Sequence, residues 1–128
     1  MPKTTESLVE SIILIQQIMN DCIFCKIVRG EVPAQIVREW DEYLAFVPLS
    51  PVVPGHILII PKVHREDFKQ DPNITAEVMR RAAMIASGPC NLITSAGKEA
   101  TQTVFHFHVH IVPRRECDGL LLPWIPDE

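Results

Sequence analysis

The stretch Val104-Phe105-His106-Phe107-His108-Val109-His110-Ile111-Val112-Pro113 decides how this chain is read. Histidines alternate with apolar residues, and a period of two is the signature of a β-strand, whose successive side chains point to opposite faces. A strand over Val104 to Val112 would set His106, His108 and His110 on one face and turn Phe105, Phe107, Val109 and Ile111 toward a core. On an α-helix the same residues would fan out in steps of about 100°, with no clean apolar stripe. At about 3.3 Å of rise per residue, His106 and His110 stand roughly 13 Å apart along such a strand, so the two outer rings do not ligate one ion and must divide their labour. A neutral imidazole serves as nucleophile, proton carrier, metal ligand or hydrogen-bond donor according to its neighbours.

Outward from this stretch, the chain of 128 residues is the size of one domain, and its 47% apolar content suffices for a packed core. A formal net charge of −4 supplies no basic field for long nucleic acids. No run approaches about 18 uninterrupted apolar residues, so no membrane span is expected. The N-terminus has no basic lead followed by an apolar block and a small-residue cleavage site, and the expected location is cytoplasmic. Cys90 and Cys117 stand alone, whereas Cys22 and Cys25 form a Cys-x-x-Cys pair, which in a reducing compartment points to a metal or redox site. No βαβ pattern follows the pair, as a redox site would lead one to expect.

Helical spacing of Leu8, Ile12, Ile15 and Met19 predicts a helix over Ser7 to Met19. Val9, Ile13, Leu14 and Ile18 make it apolar nearly all round, so it is expected to dock on a core or a dimer surface. A short helical turn around Phe24 to Arg29 is stopped by Gly30 and Pro33. Strands are expected at Ala34 to Glu39, Tyr43 to Val47 and His56 to Ile60, the last two joined by a connection stiffened by Pro48, Pro51 and Pro54. Pro72-Asn73 opens a helix to about Ser87, with Asn73 as a cap, Val78, Ala82 and Ile85 on one face, and Gly88-Pro89 as its stop. Strands at Asn91 to Ser95 and Val104 to Val112 complete an antiparallel sheet of about five strands. The layout is α+β, with one long helix, one short N-terminal helix and a helical extension over residues 1–20 ahead of a domain over 21–128.

The order and spacing of Asp21-Cys22-Ile23-Phe24-Cys25-Lys26-Ile27, Pro51-Val52-Val53-Pro54-Gly55-His56, Pro61-Lys62-Val63-His64, Gln102-Thr103-Val104-Phe105-His106 and Pro113-Arg114 resemble the zinc-containing bacterial branch of the histidine-triad (HIT) family. The resemblance covers about residues 20 to 115. It implies a half-barrel sheet and a homodimer joining two such sheets into ten strands. It also implies a zinc ion held by Cys22, Cys25, His64 and His106; four protein ligands would close the shell and make the ion structural. The implied substrate is a small nucleotide conjugate. His108 is the implied nucleophile, forming a covalent nucleotidyl-histidine at the α-phosphorus that water then hydrolyses. His110 would donate to the phosphate, and His56 would orient the nucleophile through the local hydrogen-bond network. The other nitrogen of His108 would donate to a backbone carbonyl near His56. Gln102 and Thr103, with Gly97 opening their loop, resemble the phosphate- and leaving-group-binding segment. Ser95 stands where an asparagine often touches phosphate or sugar, and Pro48 stands where an acidic residue or asparagine often holds the ribose. Serine is shorter, and proline has no hydrogen-bonding side chain. Arg114 reads either as a phosphate neutraliser or as the surface end of a strand. The function implied is hydrolysis of a nucleoside phosphoramidate or dinucleoside polyphosphate. The alternatives are nucleotidyl transfer through the same intermediate, or a non-catalytic, zinc-stabilised nucleotide-binding dimer.

Overall fold

The computed structural model describes residues 5–121. The chain runs α1 (Thr5–Asp21), α2 (Ile23–Val28), β1 (Gln35–Glu39), β2 (Tyr43–Val47), β3 (Ile57–Pro61), α3 (Pro72–Ile85), β4 (Cys90–Ile93), a 3-10 turn (Lys98–Ala100) and β5 (Val109–Pro113). The five strands form one antiparallel sheet in the order β1-β2-β3-β5-β4, so the α+β expectation holds.

Alternation on the strands sorts side chains into two cores. On one face Leu44, Phe46, Leu58 and Ile60 pack with Phe24 and Ile27 of α2. On the other, Tyr43, Ala45, Ile59, Val109 and Ile111 pack with Phe107 and with Val78 and Ala82 of α3. Phe46 pairs with Leu58, and Leu58 pairs with His110, so His110 belongs to the α2 face.

Several boundaries differ from the sequence expectation, most by one or two residues, as for β4 at Cys90–Ile93 against Asn91 to Ser95; those of β5 and α3 have a clear cause. β5 begins at Val109, because the amide of Phe107 leaves the sheet to bond the carbonyl of Arg65 at 2.6 Å. Residues 104–108 therefore run outside the strand, with the chain bent at 104–106, and Phe105 is 44% exposed while Phe107 is fully buried. α3 is capped by Asp71, one residue ahead of the proline, whose carboxylate accepts from the amide of Ile74 at 3.3 Å; Asn73 lies inside the helix. The helix ends at Ile85 because Ala86 turns to extended backbone and Gly88 takes a left-handed φ of 66°. The N-terminal helix forms as expected, but its apolar residues stay about half exposed, from Met19 at 37% to Leu14 at 57%, and it does not dock on the core.

Candidate active site and metal centre

The bend at residues 104–106 separates the histidines that alternation alone would have aligned. His106 turns inward and is fully buried, whereas His108 and His110 remain partly exposed.

Hydrogen bonds fix the tautomers of the rings. The amide of Val52 can only donate, and it donates to Nδ1 of His56 at 3.1 Å. The proton of neutral His56 is thus on Nε2, which donates to Nδ1 of His110 at 2.9 Å. His110 in turn carries its proton on Nε2. Nδ1 of His108 donates to the carbonyl of His106 at 2.7 Å, leaving Nε2 of His108 with a free lone pair. This acceptor is not the carbonyl near His56 that the resemblance implied: the bend folds the backbone of His106 under the His108 ring. The rings of His108 and His110 are neighbours, with centroids 5.1 Å apart and planes at 65°. Burial pushes His110 down to about 4 and holds His108 and His56 below the usual imidazole value, which keeps all three neutral at neutral pH.

A second cluster joins Cys22, Cys25, His64 and His106, whose donor atoms all lie within 4.8 Å of one another. Nδ1 of His106 is 3.3 Å from Sγ of Cys22 and 3.6 Å from Sγ of Cys25, and Nδ1 of His64 is 3.4 Å from Sγ of Cys25. The ring of His106 donates through Nε2 to the carbonyl of Pro61 at 2.8 Å, which turns an Nδ1 lone pair toward the thiols. Without a cation, burial and the neighbouring Cys22 push the Cys25 thiol up to about 12. Two thiols and two imidazoles converging in this way are a donor set that could hold a metal ion. Phe24, between the cysteines, meets the rings of His106 and His108 edge-on at 5.8 and 5.1 Å, so the cluster adjoins the His108 pocket wall.

The remaining candidates fall in different places. Gln102 is buried: its Oε1 accepts from the amide of Gly97 at 2.8 Å, and its Nε2 donates to the carbonyls of Glu66 and Val104 at 2.7 and 3.1 Å. Both N–H donors are thus engaged in holding the loop that leads to His106. Gly97 supports that loop with a φ of 95°, a conformation L side chains rarely adopt. Thr103 is exposed and lines a surface cleft with Cys22 and His64. Ser95 is partly exposed just beyond β4, and Pro48 lines a cleft with Pro33, Gln35 and Leu49. Arg114 donates to Asp118, to Asn91 and to the carbonyl of Leu120, which anchors the end of β5. Sequence reasoning missed Thr94, whose hydroxyl donates to the carbonyl of His108 at 2.7 Å. Nothing in a threonine at a strand end signals such a bond before the bend is known.

With this geometry in hand, comparison with known proteins is informative. The HIT domain model matches residues 29–117. Adenylylsulfatase HINT3 of Arabidopsis thaliana is 38% identical over 112 residues, which are 80% of this chain and 57% of that longer protein. Adenosine 5'-monophosphoramidase HNT1 of Saccharomyces cerevisiae is 35% identical over 115 residues, covering 84% of this chain and 72% of the yeast protein. Among solved structures, a zinc-bound histidine triad family protein from Mycobacterium smegmatis superposes with a TM-score of 0.70 at 36% identity, covering 85% of this chain and 86% of the other. The family match over residues 29–117, with relatives 35–38% identical across four fifths of the chain, shows that the chain belongs to the HIT family.

Proposed function

We propose that this protein is a nucleotide hydrolase that cleaves at the α-phosphorus of a nucleoside phosphoramidate or dinucleoside polyphosphate through a covalent intermediate on His108. The observation that carries the reading is the fixed tautomer of His108, whose Nδ1 donates to the carbonyl of His106 and so leaves the lone pair on Nε2, on a ring 5.1 Å from that of His110. In the first step the Nε2 lone pair forms a bond to phosphorus while the bond to the leaving group breaks; a phosphate departs with that electron pair, and an amine departs neutral after taking a proton from solvent, which the hydrolytic water gives back in the second step. His110 donates through Nε2 to a nonbridging oxygen, stabilising charge as it develops. Water then attacks the same phosphorus, the bond to His108 breaks, and a nucleoside monophosphate and the free ring are regenerated. Two relatives named for cleaving adenylyl conjugates support the hydrolytic reading. His108→Ala is expected to remove turnover of adenosine phosphoramidate; a variant with the wild-type rate contradicts the proposal.

Zinc is the ion that suits the cysteine–histidine cluster. Bond lengths of about 2.3 Å to sulfur and 2.0–2.1 Å to nitrogen place tetrahedral S and N donors roughly 3.5 Å apart, and the sulfur–nitrogen distances here are 3.3 to 3.6 Å. With four protein donors the ion would be structural, tying α2, the segment after β3 and the approach to β5 together. Elemental analysis of protein purified without chelator is expected to find about one zinc per chain, and a metal-free folded protein contradicts the ligand set.

A cytoplasmic homodimer completes the reading. β4 is an edge strand with Leu92 and Ile93 37% and 39% exposed, which suits pairing with a second copy. No described helix is long and apolar enough to cross a membrane.

A further inference from the structure

Pairing of β5 ends at Ile93↔His110 on one side and at Ile59↔Val109 on the other. His108 therefore lies just past the last paired residues on both sides, although its ring must present one nitrogen in one direction. Three hydrogen bonds hold it there. The preceding amide, on Phe107, donates to the carbonyl of Arg65 at 2.6 Å; the ring donates to the carbonyl of His106 at 2.7 Å; and the carbonyl of His108 accepts from Oγ1 of Thr94 at 2.7 Å. In the first two the partner is a backbone carbonyl. In the third it is a side chain, from the residue directly following β4.

We infer that Thr94 is a positioning residue for His108, its hydroxyl standing in for the missing strand pairing and holding the nucleophile's backbone where the ring faces substrate. Continuing the β4–β5 register by one residue sets Thr94 opposite Val109, and from there its hydroxyl reaches the neighbouring carbonyl. Valine has the same shape and an equal preference for extended backbone, so the fold alone asks only for a β-branched residue at this position. The hydroxyl answers a need that the sheet does not have. Freed of this bond, the carbonyl of His108 turns, the backbone at residues 106–108 relaxes, and the ring samples positions in which Nε2 is misaligned. Small misplacements of a nucleophile lower the chemical step without weakening binding.

This inference rests on His108 as the nucleophile, and two readouts separate the two claims. Thr94→Val is expected to lower kcat about tenfold with KM within about twofold of wild type, while Thr94→Ser, which keeps the hydroxyl, retains kcat within about twofold. In imidazole 15N spectra the wild-type His108 ring is expected to show one Nδ1-protonated state, and Thr94→Val to add a second. If the valine variant does not fold, Thr94→Ala set against Thr94→Ser makes the same comparison. An unchanged kcat and ring spectrum in Thr94→Val, or an equal loss in Thr94→Ser, overturns the role of Thr94 and leaves the reading of His108 standing. If the wild-type protein hydrolyses no phosphoramidate, the ring spectra alone decide the positioning role.

Discussion

His56, expected to orient the nucleophile through the local hydrogen-bond network, bonds to the ring of His110. Its own tautomer is dictated by the amide of Val52, so the chain Val52 to His56 to His110 leaves the proton of neutral His110 on Nε2. His56→Ala breaks that chain and lets His110 exchange tautomers, leaving Nε2 unprotonated part of the time. The expected result is a fall in kcat of roughly 10–100-fold with little change in KM; steady-state kinetics on adenosine phosphoramidate measures it, and an unaltered kcat would remove His56 from the proton network. His108 and His110 were legible in the sequence because their alternation is unusual, and His56 through the resemblance carried by residues 51–56. Which ring bonds which was not, because it depends on a backbone amide and a carbonyl that no side-chain pattern reveals.

The lengths of the secondary elements follow from local hydrogen bonds that override pattern. Alternation from Phe105 to Ile111 reads as one strand, yet Arg65 captures the amide of Phe107 and the ring of His108 captures the carbonyl of His106, so only Val109 to Pro113 pairs. The late entry into the sheet is what lets His106 turn to the cysteines while His110, on the strand, meets His56. At α3, Asp71 rather than Asn73 supplies the cap, since Pro72 fits the first helical position and puts the capping role one residue earlier. Asp71→Ala is expected to cost about 1 kcal/mol of stability, lowering the melting temperature by several degrees, while Asn73→Ala leaves it nearly unchanged; the opposite ranking in thermal melts would contradict the assigned cap. β2 matched its expected bounds of Tyr43 to Val47 because both of its faces are buried and its apolar run is bounded by polar residues and a proline. The N-terminal helix was legible from its spacing, but not its exposure, because an apolar surface does not name what covers it.

At the scale of the molecule, the sheet separates two tasks. The α3 face is a hydrocarbon core, and the α2 face carries the cysteine–histidine cluster, Phe24 and His110. Burying imidazoles on that face ties stability to pH. A histidine whose folded pKa is depressed is protonated more readily in the unfolded chain, so its stabilising contribution is complete above the unfolded value of about 6.5 and is lost as pH falls toward the folded value. For His110 that lower bound is about 4, and His56 and His108 shift in the same direction. Unfolding free energies from denaturant titrations should therefore drop between pH 7.5 and pH 5, above the range where ordinary carboxylates titrate, by an amount on the order of 2 kcal/mol; a flat profile over that interval would mean that these rings are not neutral in the folded protein. The central claim is that the same neutral His108 becomes covalently joined to phosphorus. Rapid acid-free quenching of wild-type protein mixed with adenosine phosphoramidate, followed by peptide mass mapping, tests it most directly. The account predicts one adenylate per site on the peptide containing His108, absent in His108→Ala; turnover with no adenylated peptide, or adenylate carried on another residue, would contradict it.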